Sequence, residues 1–110
     1  GVPDRVFFAT NKSSLTTASR ATLRKQANYL RKNKSLNVTI EGHADERGTR
    51  EYNLALGERR ANAARDYLMT YGISGKRISV ISYGKEKPVN PASTPLAWSQ
   101  NRRSVTVKVN

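Results

Sequence analysis

The feature that most limits what this chain can become is its regular exchange between two hydrophobic periods. Short runs repeating at every second residue are separated by longer runs repeating every three to four. Period two places side chains on alternate faces of a strand, whereas period 3.6 gathers them on one side of a helix. Arg5-Val6-Phe7-Phe8-Ala9 is a short apolar strand, stopped by the polar cluster Thr10-Asn11-Lys12-Ser13-Ser14. Leu23, Ala27 and Leu30 then fall at i, i+4 and i+7, which predicts a helix from about Thr17 to Asn33. Thr16 or Thr17 would cap it, and Arg31, Lys32 and Lys34 suit its negative end.

Leu36 to Ile40 reads as a second strand, after which Gly42 and Gly48 bracket a loop. Asn53, a favoured capping residue, is expected to open a second helix that runs to Tyr71 and is ended by Gly72. Its stripe of Gly57, Ala61, Ala64 and Leu68 is small enough to imply close packing on a sheet. Ile78 to Tyr83 is a third strand. Pro88, Pro91 and Pro95 mark an irregular stretch with one helical turn near Leu96 to Gln100, and Val105, Val107 and Val109 alternate with polar residues in a last strand. The order β-α-β-α-β-β predicts an α+β fold, a two-layer sandwich with helices on one face of a mixed sheet. The first two crossovers should be parallel and right-handed. A length of 110 residues fits a single domain over 1–110.

Charge narrows the function. Twenty Lys and Arg face eight Asp and Glu, a formal net charge of +12. Residues 1–40 hold eight bases and one acid, and residues 67–110 hold seven and one. Residues 41–66 hold six acids and five arginines, so selective recognition is expected there, between two basic flanks. Those flanks suit long-range steering toward polyanions such as anionic lipid headgroups or acidic polymers. A nucleic-acid reading of the charge lacks exposed aromatics interleaved with the basic residues, and no known nucleic-acid motif is present. The chain has one histidine and no cysteine, which supplies neither disulfides nor a conventional zinc site. No serine sits in a nucleophile context, and the arginines among the acids disfavour a general-acid carboxyl. The opening Gly1-Val2-Pro3 reads as the start of a trimmed fragment, with any signal or anchor lying upstream.

Several strings together carry a resemblance. Gly42-His43-Ala44-Asp45, then Asn53-Leu54, Arg60-Ala61 and Asn101-Arg102-Arg103 resemble the pattern of OmpA-like domains. The fuller run Glu46-Arg47-Gly48-Thr49-Arg50-Glu51-Tyr52, with Leu56-Gly57-Glu58-Arg59 and Ser82-Tyr83-Gly84-Lys85-Glu86-Lys87-Pro88, is most similar to the branch formed by the peptidoglycan-associated lipoproteins (Pal). The match extends from Val6 to Val107. It implies non-catalytic binding of meso-diaminopimelate in peptidoglycan stem peptides. Asp45 and Arg60 would hold the zwitterionic end, Arg47, Asn53 and Leu56 would line the pocket, and Thr10 and Asn11 would form the opposite wall. Pal proteins commonly carry aspartate where this chain has Asn11, which keeps an acceptor and removes a negative charge. The resemblance further implies a TolB-like partner at the same face and an upstream lipid anchor. It places the chain at the periplasmic face of a Gram-negative outer membrane, with no cofactor and no nucleic acid. The tail of another OmpA-type outer-membrane protein is the alternative.

The chemistry of such a ligand asks for one acid and one guanidinium a few ångströms apart, and arginine's planar fork suits a carboxylate better than lysine does. Asp45 just past a strand end and Arg60 two turns into the next helix, both at element ends, meet that need. Read without the resemblance, Asp45 is equally a loop residue paired with Arg47, and Arg60 a solvated helix charge like Arg59. His43 is expected to be structural, hydrogen-bonded near the strand end. One of Arg102 and Arg103 is expected to pair with an acid while the other is solvated. Trp98 and Tyr83 read as core or rim packing.

Overall fold

Two threonine hydroxyls set where the long helices begin. The computed structural model describes residues 1–109. Thr16 accepts a hydrogen bond from the Ser19 N–H and starts α1 (Thr17–Lys32). Thr49 accepts from the Tyr52 N–H and starts α2 (Arg50–Thr70), with Glu51 in the first turn against the positive helix end. The second helix therefore begins before Asn53, which is not its cap. Gly48, at φ +95°, lets the chain turn into extended Thr49, and Asn53 falls inside the first turns.

Four strands form one mixed sheet: β1 (Arg5–Phe7), β2 (Val38–His43), β3 (Ile78–Gly84) and β4 (Arg103–Lys108). Their spatial order is β1-β4-β2-β3. Strands β2 and β3 are parallel, and β4 is antiparallel to both β1 and β2. The crossover through α2 thus joins adjacent parallel strands as expected. The crossover through α1 joins strands of the same direction that are not neighbours, because β4 lies between them. A third helix, α3 (Pro95–Asn101), is capped by Thr94 with proline in its first turn. The irregular segment before it is held by Asn101, whose side-chain oxygen accepts from the N–H groups of Val89 and Asn90 at 2.8 and 3.1 Å.

The core lies between the sheet and α1 and α2, built from Val6, Leu23, Ala27, Leu30, Ile40, Ala61, Ala64, Leu68 and Ile78. The stripe foreseen on α2 packs against β2 through glycine. A Cβ on Gly42 would lie 1.6 Å from the Gly57 carbonyl oxygen, so the helix backbone sits directly on the strand. Strand β2 consequently runs on through Gly42 to His43, beyond the expected end at Ile40. In β4, Ser104 and Thr106 turn toward the helices, Thr106 donating to Gln26 of α1 at 2.7 Å, and half-exposed Val107 turns away from them.

Candidate ligand-binding site

The sheet order brings two loops side by side. One follows β1 and carries Thr10 and Asn11; the other follows β2 and carries Asp45, Arg47 and Gly48. With Tyr52, Asn53, Leu56 and Arg60 of α2 they line a depression of about 220 Å³. All seven residues singled out from the sequence meet there. Gly48 and Tyr52, expected only within a rim running from Glu46 to Tyr52, join the lining itself; Tyr52 precedes Leu56 by one helical turn and Leu56 precedes Arg60 by another, a spacing that puts them on one face. Asn11 has φ +59°, in the left-handed region that asparagine and aspartate tolerate better than most residues. The turn itself therefore favours either residue at this wall.

Arg60 departs most from expectation. It does not project from an element end: the residue is fully buried, at 0% exposure. Its Nε donates to the Lys12 carbonyl at 2.8 Å, Nη1 to His43 at 2.9 Å and Nη2 to Ala9 at 3.1 Å. One side chain thus ties the loop after β1 to the end of β2. Burial, aided by the nearby charge of Arg102, lowers its pKa to about 10, so it remains cationic at neutral pH. Three of the five N–H donors of a guanidinium are used this way, which leaves two.

Asp45 is also buried, at 6% exposure. Its carboxylate accepts from the Arg47 backbone N–H at 3.0 Å, from Arg47 Nη2 at 2.8 Å and from Arg102 Nη1 at 3.4 Å. Burial alone would raise its pKa, but the hydrogen bonds from Arg47, with help from Arg102, outweigh it and hold the carboxyl below its ordinary value. Arg47 reaches across to the other wall as well, donating to Thr10 Oγ1 at 3.3 Å. Asn53 secures this loop from below, its amide donating to the Arg47 carbonyl at 2.8 Å. Of the late arginine pair, Arg102 takes the acid as expected. Arg103 is not solvated: it is 4% exposed and donates to the carbonyls of Asn101 and Lys87. Its place on β4, under the segment that runs from β3 to α3, encloses it.

Comparison with known proteins adds a lineage to this geometry. Residues 7–102 match the OmpA family. The chain belongs to that family. It is 58% identical over 106 residues to the peptidoglycan-associated lipoprotein of Rhizobium meliloti, covering 96% of this chain and 60% of the relative. It is 53% identical over 105 residues to the protein of the same name from Mesorhizobium japonicum, covering 96% and 62%. The chain therefore spans about three fifths of the length of these curated relatives. Among solved structures, the crystal structure of the peptidoglycan-associated lipoprotein from Burkholderia pseudomallei superposes with a TM-score of 0.93 at 39% identity, covering 96% of this chain and 89% of that one.

In this OmpA-family chain the single histidine lies outside the depression's lining. His43 is 1% exposed, stacks on Tyr83 with ring centroids 5.5 Å apart, and meets Glu41 Oε1 at 3.3 Å. Burial, reinforced by the charge of Arg103, lowers its pKa to about 4 against the opposing pull of Glu41. It is neutral at pH 7 and structural, as its sequence context indicates.

Proposed function

We propose that the depression binds the zwitterionic end of meso-diaminopimelate in peptidoglycan stem peptides, without catalysis. The observation that carries this reading is that a buried ionised carboxylate, Asp45, and two guanidinium groups, Arg47 and Arg60, line one depression of about 220 Å³. One carboxylate among Arg47, Arg60 and Arg102 makes the site net cationic. The ligand carboxylate is then the stronger attractor, and Asp45 orients the ammonium on the same carbon. A lysine-type stem keeps the ammonium but lacks that carboxylate, so the site discriminates against it. Leu56 and Tyr52 supply apolar surface for the ligand's methylenes, and Thr10 and Asn11 close the second wall. The names of the relatives, which join peptidoglycan to a lipid, agree with this reading.

On the same reading, residues 1–110 act as a single binding unit that links the cell wall to an outer membrane. The lipid anchor lies upstream, and a TolB-like periplasmic protein competes for the pocket rim between Glu46 and Tyr52. Simultaneous, independent binding of TolB and stem peptide would refute the shared rim.

Isothermal titration with soluble diaminopimelate-type and lysine-type stem peptides tests the central proposal. A charged hydrogen-bonding group contributes roughly 1.5–3 kcal/mol, so folded Asp45→Ala should bind about ten- to more than a hundredfold more weakly. Equal affinity for the two peptides, or undiminished binding by Asp45→Ala, overturns it.

A further inference from the structure

We infer that Trp98, on α3, is a positioning residue of this pocket: its indole face holds the Arg47 guanidinium where it can meet a ligand carboxylate. The inference rests on the diaminopimelate reading above and adds to it a residue from outside the lining.

The arrangement has three parts. The Arg47 guanidinium carbon lies 4.2 Å from the Trp98 ring centroid, within range of a cation–π contact. The indole N–H donates to Glu46 Oε2 at 2.8 Å, so the same side chain also holds the residue preceding Arg47. Hydrogen bonds from Ser93 and Trp98 keep the Glu46 carboxyl below its ordinary value, so it stays ionised as an acceptor. The loop is gripped once more by Lys85, whose ammonium donates to the Gly48 carbonyl at 2.7 Å. Helix α3 thereby acts twice on the site, through Trp98 at Arg47 and through Arg102, just past its end, at Asp45.

Arg47 needs such a holder. Its side chain is 41% exposed, and an exposed arginine loses rotamer freedom whenever it is ordered. Among the described residues, its side-chain hydrogen bonds use Nε and Nη2, which leaves Nη1 for a ligand. Stacking on the indole restricts the remaining swing of the guanidinium plane before ligand arrives, a preorganisation that lowers the cost of binding. The benefit is specific to the carboxylate end. A ligand lacking that carboxylate gains little from an ordered Arg47, so Trp98 contributes to selectivity more than to general adhesion.

The test is titration of wild type, Trp98→Phe, Trp98→Leu and Glu46→Gln with diaminopimelate-type and lysine-type stem peptides, alongside melting curves. Loss of an exposed cation–π contact corresponds to an about two- to fivefold effect, so Trp98→Leu should weaken the diaminopimelate-type peptide by that factor. The lysine-type peptide should be little affected, and the ratio between the two should shrink. Trp98→Phe, which keeps a π face, should recover most of the ratio. A purely structural role would lower the melting temperature and weaken both peptides equally; an unchanged ratio in folded Trp98→Leu overturns the inference. A ligand-free measurement separates this failure from failure of the underlying reading. The Arg47 Nε–H resonance of the wild type should carry an upfield ring-current shift that disappears in Trp98→Leu. Absence of that shift refutes the positioning, whereas its presence in a wild type that binds neither peptide refutes the diaminopimelate reading.

Discussion

Replacing Arg60 separates what holds the pocket together from what the pocket does. In Arg60→Met the side chain keeps an apolar stem of similar reach and loses every donor. Three carbonyl oxygens, on Ala9, Lys12 and His43, then lose the donor that Arg60 supplied, although Ala9 still accepts from the Lys12 N–H at 3.0 Å. The first two lie on the exposed loop after β1 and can turn to water, so each should cost about 1 kcal/mol. The bond to the His43 carbonyl is wholly buried, and an unsatisfied buried acceptor costs roughly 1–3 kcal/mol. The sum is about 3–5 kcal/mol, offset only in part because a charge no longer has to be buried. For a chain of this length each kcal/mol moves the melting temperature by about 4 °C, so a fall of about 12–20 °C is expected. Arg60→Lys keeps the charge but cannot reach all three carbonyls, and should fall between wild type and Arg60→Met. Arg59→Met is the control: that neighbour is exposed and 6.0 Å from the Tyr52 ring, and its loss should stay within about 0.5 kcal/mol. Urea or thermal unfolding of the set gives the answer. If Arg60→Met melts with Arg59→Met, the three carbonyl bonds do not hold the fold together.

Gly42→Ala should prevent folding or cost more than about 4 kcal/mol, since its Cβ would overlap helix backbone; a wild-type melting temperature would refute the close packing. Gly57→Ala meets the Ser82 hydroxyl, which can rotate, and the Gly42 carbonyl at 2.9 Å, which cannot, so it should cost about 1–3 kcal/mol despite a better helix propensity. His43, with a folded pKa of about 4 below the ordinary 6.5, leaves the unfolded chain binding the extra proton between those values. Its contribution, up to roughly 3 kcal/mol, is present above pH 6.5 and lost as pH falls to 4; urea midpoints against pH should show a slope that His43→Asn lacks. Thr49→Ala removes the cap of α2 and should cost about 1 kcal/mol, read as a shift in urea midpoint.

Local periodicity reached the buried faces of both long helices, because Leu23, Ala27 and Leu30, and likewise Ala61, Ala64 and Leu68, repeat at the helical spacing. It failed at the start of α2, where Thr49 and Asn53 are both good caps and the backbone of Gly48 decides between them. It could not place β4 between β1 and β2, since strand order depends on pairing across some sixty residues and more. The seven pocket residues came from the resemblance rather than from spacing. The burial of Arg60 was hidden because its partners are backbone carbonyls, which no side-chain pattern reveals. Trp98 was legible only as packing, its partner Glu46 being 52 positions away.

The position of β4 has a consequence for how the chain is made. Strand β1 pairs with β4 alone, yet of the four strands β4 is the last to leave a ribosome or a translocation pore. Until residues 103–108 emerge, the first strand and the loop behind it have no edge to join, and the two walls of the pocket belong to separate pieces. Closure of so long a loop is entropically slow and occurs late. A nascent chain can assemble the β2-α2-β3 unit first, but it gains its grip on Asp45 from Arg102 and its β1 wall together, once β4 pairs. The site is therefore silent until β4 has been made, and switches on only when that strand enters the sheet between β1 and β2.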